Sequence, residues 1–574
     1  MKKKVFICIV SIILIIGIIL IININKNNKK YEYTIEKLGE ANYFLLMKEN
    51  KYGIIDKQGN IIIDPLYDII EMPNPSKDIF ICKSNYNAES NEYNVQVFNS
   101  KKEPILYQYY IVEAIPLNNI ENNGFFEKSV LKYKSEGLYG LIDLSGKKIT
   151  NAIYESIDGF EYKEGMLLVK KSGKYGVINI NGAVIVKNKY DEITCDGYFN
   201  KDSNYNESGY IVGTRTDNGM RYGYIDSNRK ILLKNDFNDI YRITDKYDNN
   251  IYIVAYKNGK AGLYKNKKIM LKHDYEDILY NADNDLLILQ KASKQGVSKF
   301  DGTAIVPIEY DNIFFAGNYI NAQKGENIDI FDSNGNKDSN TEYISKQNFN
   351  NNKYEIVSTS KDEYKVIIKD SDKVIENGYS YIQYLSDNYF MVQKDNLFGI
   401  IDDSGKYIIE PKYKIIQLIY DYNIIELIND KNNVILIDNK MKELAEFKEG
   451  NIYNIGNFLK ISTSNDVKYI NKSGELVENL EAFSNNKLFA FCEKNKWGFK
   501  DKDGNIVVKP IYELVTEFNE FGFAGIKSKG LWGSIDENGT VIKNPSYSLN
   551  QEPSFINEYY KVDLGYGEPY YTNS

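Results

Sequence analysis

The sequence is poor in the residues that most active sites and metal centres need. His273 is the only histidine among 574 residues, so histidine-based triads, HExxH zinc sites and two-histidine metal clusters are excluded. Cys8, Cys82, Cys195 and Cys492 show no metal-ligand spacing and suggest no disulfide framework. We interpret the cysteines as small buried thiols and His273 as a solvated turn residue. No catalytic residue, metal or cofactor is therefore predicted.

Arginine is also scarce, and the balance of charge is acidic. The arginines are Arg215, Arg221, Arg229 and Arg242, which could form a patch for an anionic ligand, although an ordinary solvated face is the simpler interpretation. Removing the six lysines of the first thirty residues leaves 65 basic residues against 79 acidic ones, a net charge of −14. Because an acidic surface does not recruit nucleic acid, no nucleic-acid partner is predicted.

The one long apolar run lies at the amino terminus. Residues 5–22 follow three lysines and carry no charge, and a helix of that length spans about 27 Å, close to the hydrocarbon thickness of a bilayer. The run is long for a signal-peptide core, and NINKNNKK follows it without a small-residue cleavage site. Residues 1–30 are therefore predicted to form a cytoplasmic tip, an uncleaved transmembrane anchor and a polar stalk. The rest of this single-pass cell-membrane protein is expected to be extracytoplasmic.

One pattern recurs along the remaining chain. An aromatic residue and a glycine, followed strictly or loosely by x-Ile-Asp, occur in seven places, and two more places keep only the glycine. In eight of these nine units a Tyr or Phe stands fifteen positions later, the exception being Ala261 with Tyr275 at fourteen. The repeat positions singled out are Tyr52, Gly53, Asp56, Gly59, Tyr67, Tyr139, Gly140, Tyr154, Tyr175, Gly176, Tyr190, Phe398, Gly399, Tyr413, Trp497, Gly498, Tyr512, Trp532, Gly533 and Tyr547.

Weaker copies of the pattern fill the gaps, so that about fourteen units account for the chain after the anchor. These copies begin at Tyr93, Ile328, Tyr364, Val434 and Val467. Self-similarity at a period of 30 to 47 residues indicates a repeat architecture. The sequence therefore predicts an all-β repeat protein.

Each unit is predicted to be a four-stranded antiparallel meander. In YGIIDKQGN, the Asp and the Gly three positions later fit a type I turn, and the Gly can take the left-handed conformation that closes a hairpin. β-branched and aromatic runs on both sides are typical of strands. The recurring Tyr is expected to open the fourth strand, and a turn is expected at the prolines before it, which are Pro65, Pro307, Pro411, Pro510 and Pro545.

These motifs together resemble the bacterial WG-containing repeat, also called the KWG repeat. Trp497 and Trp532, the only tryptophans, occupy the position that names the family. The resemblance extends over about residues 40–550 and is most specific in the first unit, the unit at Phe398 and the last two units. It implies an all-β repeat domain, often on exported or surface proteins, and it brings no catalytic residues to carry over.

Four-stranded meanders of this length are typical of β-propeller blades. Fourteen units would divide into two rings of seven, so we predict two consecutive β-propellers, residues 31–320 and residues 321–574, the second with a C-terminal cap. An open β-solenoid satisfies the same periodicity. Closed rings are favoured because they protect strand edges that an exported protein would otherwise expose.

The predicted function is a non-catalytic, extracytoplasmic binding or scaffolding module for a protein or cell-envelope ligand. Exposed tyrosines suit such a role, because a rigid ring offers apolar area and a hydroxyl together, and YQYY, YSYIQY and EYYKV contain candidates. One alternative is a carboxylate-dependent enzyme acting on envelope glycans, which a pocket with two acids outside the repeat pattern would favour. Another is a purely structural surface protein. The DKDGN segment at Asp501 resembles part of a calcium loop, but it fits the repeat turn better.

Overall fold

The computed structural model is all-β. It describes residues 40–118, 125–160, 163–199, 205–246, 250–338, 343–349, 353–360, 362–448, 450–455, 458–463, 467–472, 475–477, 487–494, 496–563 and 569–573. Within these ranges there is no α-helix, and one 3-10 turn lies at Tyr420–Tyr422. The predicted anchor, residues 5–22, falls outside them, and no helix inside them is long and apolar enough to cross a membrane.

The described strands form fourteen sheets, numbered here in chain order, of which nine are four-stranded. The chain divides into two compact units, one of Met1–Ile240 with Tyr559–Ser574 and the other of Tyr241–Glu558. Residue 320, the predicted boundary between two rings, lies within the second unit. A compact unit is not the same as a closed ring of blades, so the division into two propellers stays a prediction.

The first unit holds sheets 1 to 5. Their strands are β1 (Tyr43–Lys48), β2 (Lys51–Asp56) and β3 (Ile61–Tyr67) in sheet 1; β4 (Ile69–Glu71), β5 (Phe80–Asn87), β6 (Glu92–Phe98) and β7 (Pro104–Ile105) in sheet 2; β8 (Ile111–Glu113), β10 (Val130–Ser135) and β11 (Leu138–Asp143) in sheet 3; β9 (Leu117–Asn118), β12 (Ser156–Phe160), β13 (Lys163–Lys171), β14 (Lys174–Asn179) and β15 (Val184–Tyr190) in sheet 4; and β16 (Glu192–Phe199), β17 (Tyr205–Thr216), β18 (Gly219–Asp226) and β19 (Ile231–Phe237) in sheet 5. The carboxyl-terminal strands β55 (Tyr559–Val562) and β56 (Tyr570–Thr572) join sheet 1.

The second unit holds most of sheet 6 and sheets 7 to 14. Their strands are β20 (Asp239–Thr244), β21 (Ile251–Lys257), β22 (Lys260–Lys265) and β23 (Lys268–Tyr275) in sheet 6; β24 (Asp277–Asn281), β25 (Leu286–Lys291), β26 (Lys294–Ser298) and β27 (Ala304–Tyr310) in sheet 7; β28 (Asn312–Ala316), β29 (Tyr319–Lys324) and β30 (Asn327–Asp332) in sheet 8; β31 (Ser345–Phe349), β32 (Tyr354–Ser360), β33 (Glu363–Ile368) and β34 (Lys373–Tyr379) in sheet 9; β35 (Tyr381–Ser386), β36 (Tyr389–Lys394), β37 (Leu397–Asp402) and β38 (Tyr407–Tyr413) in sheet 10; β39 (Ile415–Ile419), β40 (Ile424–Ile428), β41 (Val434–Asp438) and β42 (Glu443–Phe447) in sheet 11; β43 (Gly450–Ile455), β44 (Phe458–Thr463), β45 (Val467–Asn471) and β46 (Leu476–Val477) in sheet 12; β47 (Leu488–Glu493), β48 (Lys496–Asp501) and β49 (Ile506–Tyr512) in sheet 13; and β50 (Leu514–Val515), β51 (Phe523–Ser528), β52 (Leu531–Asp536) and β53 (Val541–Tyr547) in sheet 14, followed by β54 (Phe555–Ile556).

The recurring Tyr ends a sheet and does not open a strand of its own unit. Tyr67 is the last residue of β3, the chain bends at Asp68, and the next strand, β4, pairs with β5 of the following sheet. The predicted position of the fourth strand was therefore wrong. A typical sheet consists of the strand after one recurring Tyr and the next three strands, which end at the following recurring Tyr.

The recurring prolines lie inside strands. The prediction that they mark turns was therefore wrong. Each one sits in the last strand of its sheet, as Pro65 does in β3 and Pro545 in β53. A last strand pairs on one side only within its sheet, so the missing N–H of proline breaks no ladder there. Proline at such an edge also discourages pairing with a foreign strand.

The core is a series of apolar layers between consecutive sheets. Sheets 4 and 5 enclose one layer that includes Val177, Tyr190 and Tyr210, and sheets 13 and 14 enclose another around Trp497 and Phe499. Both faces of an internal strand are therefore covered, which explains runs such as IYIVAY that do not alternate with polar residues. In the first unit, β56 lies parallel to β1, with Leu46 opposite Tyr571, and joins the two ends of the described chain.

Candidate functional site

The fifteen-residue offset of the repeat is a hairpin register. Tyr52 faces Tyr67 across β2 and β3, and Trp532 faces Tyr547 across β52 and β53. The same pairing joins Tyr139 to Tyr154, Tyr175 to Tyr190, Phe398 to Tyr413 and Trp497 to Tyr512. These aromatic pairs pack in or against the apolar layers, where Trp532 is 1% exposed and Trp497 is 9% exposed.

Ala261 keeps the same pairing at an offset of fourteen because its turn is one residue shorter. Ala261 faces Tyr275, and Lys265 faces Lys268 across a two-residue loop. Asn266 and Lys267 in that loop both have positive φ, as a type I′ turn requires. The units with an Asp turn place three residues in this loop, as between Asp56 and Asn60, so the exception follows from turn length.

The glycine after the aromatic residue allows the last strand to cross closely over it. A Cβ on Gly533 would lie 2.2 Å from the carbonyl oxygen of Lys543, and one on Gly498 would lie 2.3 Å from that of Val508. At both glycines the register shifts by a β-bulge. Gly53, Gly176 and Gly399 meet the same backbone contact at 2.5, 2.7 and 2.6 Å, whereas Gly140 is covered by the ring of Tyr133.

The Asp and the second glycine of the repeat build the turn that the sequence predicts. In sheet 1, Asp56 Oδ1 accepts the backbone N–H groups of Gln58 and Asn60, both at 2.9 Å, and Gly59 has φ of 82°. Asp501 repeats this arrangement with Asp503 and Asn505. The side-chain and backbone hydrogen bonds from Asn505 hold the pKa of Asp501 below its ordinary value. The carboxylate that resembled a calcium ligand is engaged in its own turn.

The acid after the recurring Tyr joins consecutive sheets. Asp191, which follows Tyr190, accepts a hydrogen bond from the Lys174 ammonium of sheet 4 at 2.6 Å and one from the backbone N–H of Arg215 in sheet 5 at 2.8 Å. These two hydrogen bonds, with that of Arg215 first, lower the pKa of Asp191. Asp68, Glu276, Asp311 and Glu513 also accept backbone N–H groups of the next sheet's hairpin.

Sheet 2 keeps the recurring turn and the paired Tyr but departs from this plan at the aromatic, glycine and acid positions. Its turn residue is Asn99, which accepts the backbone N–H groups of Lys101 and Glu103, so the aromatic position four residues earlier is Val95. Counting from Val95, Gln96 stands in the place of the glycine, Tyr110 in the place of the paired Tyr and Ile111 in the place of the acid.

The last strand of sheet 2 does not cross over Gln96 as the last strand crosses over the glycine in the regular units. β7 pairs with β6 only through Pro104 and Ile105, without the bulges of the regular units. The chain then leaves the sheet at Leu106, whose φ is 58°. Tyr107 and Tyr110, which follow, are each 85% exposed, and Gln96 is exposed as well.

The departure of this strand opens a two-lobed groove between sheets 2 and 3, which we call the tyrosine groove. The larger lobe has a volume of 540 Å³ and is lined by residues that include Glu92, Gln108, Lys134, Glu136 and Lys148. The smaller lobe, of 300 Å³, is lined by residues that include Tyr93, Gln96 and Tyr107. Residues 109–111 line both lobes and separate them.

Tyr109, in the wall between the lobes, is held in place by contacts with sheet 3 and the turn that follows it. The Tyr109 hydroxyl donates to the carbonyl oxygen of Gly146 at 2.9 Å, and its ring lies 4.8 Å from that of Tyr133. Tyr133 is buried and donates from its hydroxyl to the carbonyl oxygen of Thr150. Burial raises the pKa of Tyr109. Tyr109 is thus fixed, while the adjacent Tyr110 projects into solvent.

The charges in the larger lobe are balanced. Lys134 of sheet 3 donates to Glu92 of sheet 2 at 2.6 Å, and this hydrogen bond raises the pKa of Lys134. Lys148 Nζ lies 5.4 Å from the centroid of the Tyr133 ring, a cation–π distance, and Glu136 is exposed at the turn between β10 and β11. Two cations and two carboxylates therefore surround the pocket.

The other residues that the sequence marked do not assemble into a site. Arg215 lies near the end of β17, beside the turn before β18, and Arg229 lies in the turn after β18, so these arginines stand at opposite ends of β18 and form no single patch. His273 lies within β23, with its ring against Gly262, so its assignment to a turn was wrong. Cys82 is buried, which raises the pKa of its thiol to about 12, and Cys195 and Cys492 are partly buried. Among the described residues no acidic, histidine or cysteine side chains cluster as metal ligands would.

Sequence reasoning marked the YQYY segment as a source of exposed tyrosines but missed the reason for its exposure. It began this unit at Tyr93, two residues before the position that the Asn99 turn defines. Numbering back from the turn residue would have shown Gln96 in the glycine position. Of the other tyrosine-rich segments, YSYIQY places Tyr379 in the core and leaves Tyr381 37% exposed, and EYYKV places Tyr559 in the core.

Comparison with known proteins identifies the repeat. The model of the WG containing repeat matches residues 52–80, 139–175, 398–422 and 497–532. A search of curated proteins found no match. The matched stretches include both tryptophans and the first unit, where the predicted motif was most specific.

Solved structures resemble the chain only distantly. BamB from Moraxella catarrhalis is 10% identical, with a TM-score of 0.22, over 47% of this chain and 95% of that one. The WD40 β-propeller domain of Doa1 is 12% identical, with a TM-score of 0.18, over 43% of this chain and 94% of that one. The extracellular domain of the putative hybrid two-component system BT3049 from B. thetaiotaomicron is 10% identical, with a TM-score of 0.19, over 92% and 82%.

All three TM-scores lie below 0.5. This chain's own strands show the aromatic pairs, glycine bulges and Asp-capped turns at the positions where the repeat model matches. On this evidence the chain is a WG-repeat family protein.

Proposed function

We propose that this protein is a non-catalytic binding or scaffolding module and that the tyrosine groove is its binding site. One observation carries the proposal: Tyr107 and Tyr110 are each 85% exposed, whereas the repeat tyrosines Tyr154, Tyr190 and Tyr413 are at most 7% exposed. Exposed rings beside a concave surface suit binding, because they contribute apolar area with little loss of side-chain freedom.

The groove also has the character of a small-ligand site. Both lobes fall in the usual size range, roughly 300 to 1,000 Å³, and rings line them together with a few polar groups. The Tyr109 hydrogen bond to Gly146 and the Lys134–Glu92 ion pair fix parts of the wall before any ligand arrives. Preorganisation of this kind reduces the entropic cost of binding.

The test compares two variants of the full chain on arrays of peptides and glycans and on isolated cell-envelope fragments. Tyr107→Ala with Tyr110→Ala removes both exposed rings. The control, Leu66→Ala, removes a 68% exposed side chain from sheet 1, which lies outside the groove. We expect the wild type and the Leu66 variant to retain a ligand that the double variant loses. Equal binding by all three proteins would contradict the groove as the site.

A second candidate, the carboxylate-dependent enzyme acting on envelope glycans, has one observation in its favour: Glu92 and Glu136 both line the larger lobe, outside the repeat turns. Glu92 is engaged in an ion pair with Lys134, whereas a general acid must hold a proton. The enzyme hypothesis predicts release of reducing sugar from envelope glycans and loss of that release in Glu92→Gln. We expect no such release by the wild type.

We further propose that the protein is anchored in the cell membrane by residues 5–22, with the remainder extracytoplasmic and facing a protein or envelope ligand. The uncharged run and the absence of a cleavage motif support this. Protease added to intact cells should then remove the repeats, and the mature protein should retain residues 5–22. A secreted chain starting near residue 25 or 30 would overturn the proposal.

The finer architecture that we propose is that of two β-propellers, residues 31–320 and residues 321–574. Apolar layers between consecutive sheets support a blade arrangement. A closed ring couples its blades, so deletion of residues 398–433 should unfold the whole second ring while leaving the first intact. Loss of stability in proportion to the deleted unit alone would favour the open solenoid.

A further inference from the structure

We propose that the ligand of the tyrosine groove is a neutral oligosaccharide, an inference that rests on the groove being a binding site. Neutrality follows from the charges of the larger lobe. Lys134 and Lys148 are offset by Glu92 and Glu136, and the first cation is already paired with Glu92 at 2.6 Å. A phosphorylated or polyanionic ligand would need an excess of cations here, and a cationic ligand an excess of acids.

The polar groups of the larger lobe favour a polyhydroxylated ligand over an apolar one. Gln108 offers a donor and an acceptor from one exposed amide, the two lysines offer donors, and the two carboxylates offer acceptors. A sugar hydroxyl can use both kinds of partner. A proline-rich peptide presents few side-chain donors and would cover these groups without pairing them, which costs free energy.

The rings provide the apolar half of the same recognition. The faces of sugar rings that carry C–H bonds pack on flat apolar surfaces, and Tyr107 and Tyr110 present such surfaces to solvent. Residues 109–111 stand between the lobes, and Tyr107 lines the smaller one. A ligand that fills both lobes must therefore have at least two linked units, which points to a chain of sugars rather than a monosaccharide.

The experiment measures binding of the full chain to an array of neutral, acidic and amino oligosaccharides together with proline-rich peptides, followed by titration of the best ligand. We expect a neutral oligosaccharide to bind, with affinity that rises from one sugar to two or more. Affinity should fall at least about tenfold in Tyr110→Ala and remain unchanged in Leu66→Ala. It should also change little between low and high salt, since no net charge is recognised.

Three results separate failure of this inference from failure of the proposed function. Binding of a proline-rich peptide, an acidic glycan or an amino glycan that depends on Tyr110 would keep the groove as a binding site and overturn the neutral-sugar assignment. Binding of a neutral oligosaccharide that Tyr107→Ala with Tyr110→Ala leaves intact would place the sugar elsewhere and overturn both. Absence of any groove-dependent ligand on the array and on envelope fragments would likewise overturn both.

Discussion

Sheets 14 and 2 follow the same plan and end differently. In sheet 14, Trp532 faces Tyr547, Gly533 lies under the last strand, and that strand runs for seven residues. In sheet 2 the last strand has two residues, and the tyrosine in the paired position is 85% exposed. The paired tyrosine is thus partly buried in sheet 14 and exposed in sheet 2.

The two sheets differ at the glycine position, although the glycine alone does not decide closure, since sheet 9 has Lys365 there and still carries the seven-residue β34 with Tyr379 buried. A side chain at the glycine position would lie within 2.2 to 2.7 Å of backbone oxygen in the regular units that were compared. Gln96 has such a side chain, and its sheet lacks the crossing strand. The tyrosine groove thus lies where the last strand of a sheet ends early.

The largest effect on stability is expected when the aromatic residue of a regular sheet is removed. Trp532→Ala should lower the free energy of unfolding by about 3 to 5 kcal/mol, because the 1% exposed indole leaves a cavity in the layer below it. Trp497→Ala should behave similarly in sheet 13. Urea denaturation of the full chain measures both, and an unchanged midpoint would show that these rings are not part of the core.

The next test concerns the glycine. Gly533→Ala should cost about 1 to 3 kcal/mol, since the new Cβ would meet the Lys543 carbonyl oxygen at 2.2 Å and force the strand to move. The matched control is Gln96→Ala in sheet 2, which should change stability by no more than about 0.5 kcal/mol because no strand crosses there. Equal effects of the two substitutions would refute the proposed role of the glycine.

A smaller, pH-dependent effect is expected at the acid that joins sheets 4 and 5. The folded pKa of Asp191 lies below its ordinary value of 3.8, so its stabilising contribution is present above that value and is lost as pH falls through the folded pKa. Asp191→Asn should therefore lower the melting temperature at pH 7 and flatten its decline below about pH 4. Ile111→Val, at the corresponding position of sheet 2, is the control and should leave the shape of that pH profile unchanged.

The smallest effect on stability should come from the exposed tyrosines themselves. Replacement of Tyr107 and Tyr110 by alanine should change the free energy of unfolding by no more than about 0.5 kcal/mol, since both rings are 85% exposed. Circular dichroism and urea denaturation measure this directly. A loss comparable to that of Trp532→Ala would mean that these rings pack against the protein and are not free for a ligand.

The repeat was readable from the sequence because each of its signals is local. The Asp56 turn and the Tyr52–Tyr67 offset depend on a hairpin of fixed length, so they recur as fixed spacings. The assignment of strands to sheets was not readable, because the strand after Tyr67 could pair with either neighbour, and only packing chose sheet 2. The prolines were misread for the same reason, since a strand edge is a property of the sheet.

The candidate site was also only partly predictable from the sequence. The sequence marked YQYY as a source of exposed tyrosines but did not show that Tyr110, which stands in the paired repeat position, is one of them. Their arrangement around a groove was not predictable. It depends on the last strand of sheet 2 leaving Gln96 uncovered, and on Lys134 of sheet 3 reaching Glu92 of sheet 2.

By itself the sequence determined the WG-repeat class, the β architecture and the Asp–Gly turns, since these follow from spacings within about fifteen residues. Only the tertiary structure decided which strand belongs to which sheet, which rings are buried and where a groove opens. The physical reason is that burial and close backbone approach depend on strands and sheets packed together: a strand crosses over Gly533, whereas Gln96 is left uncovered.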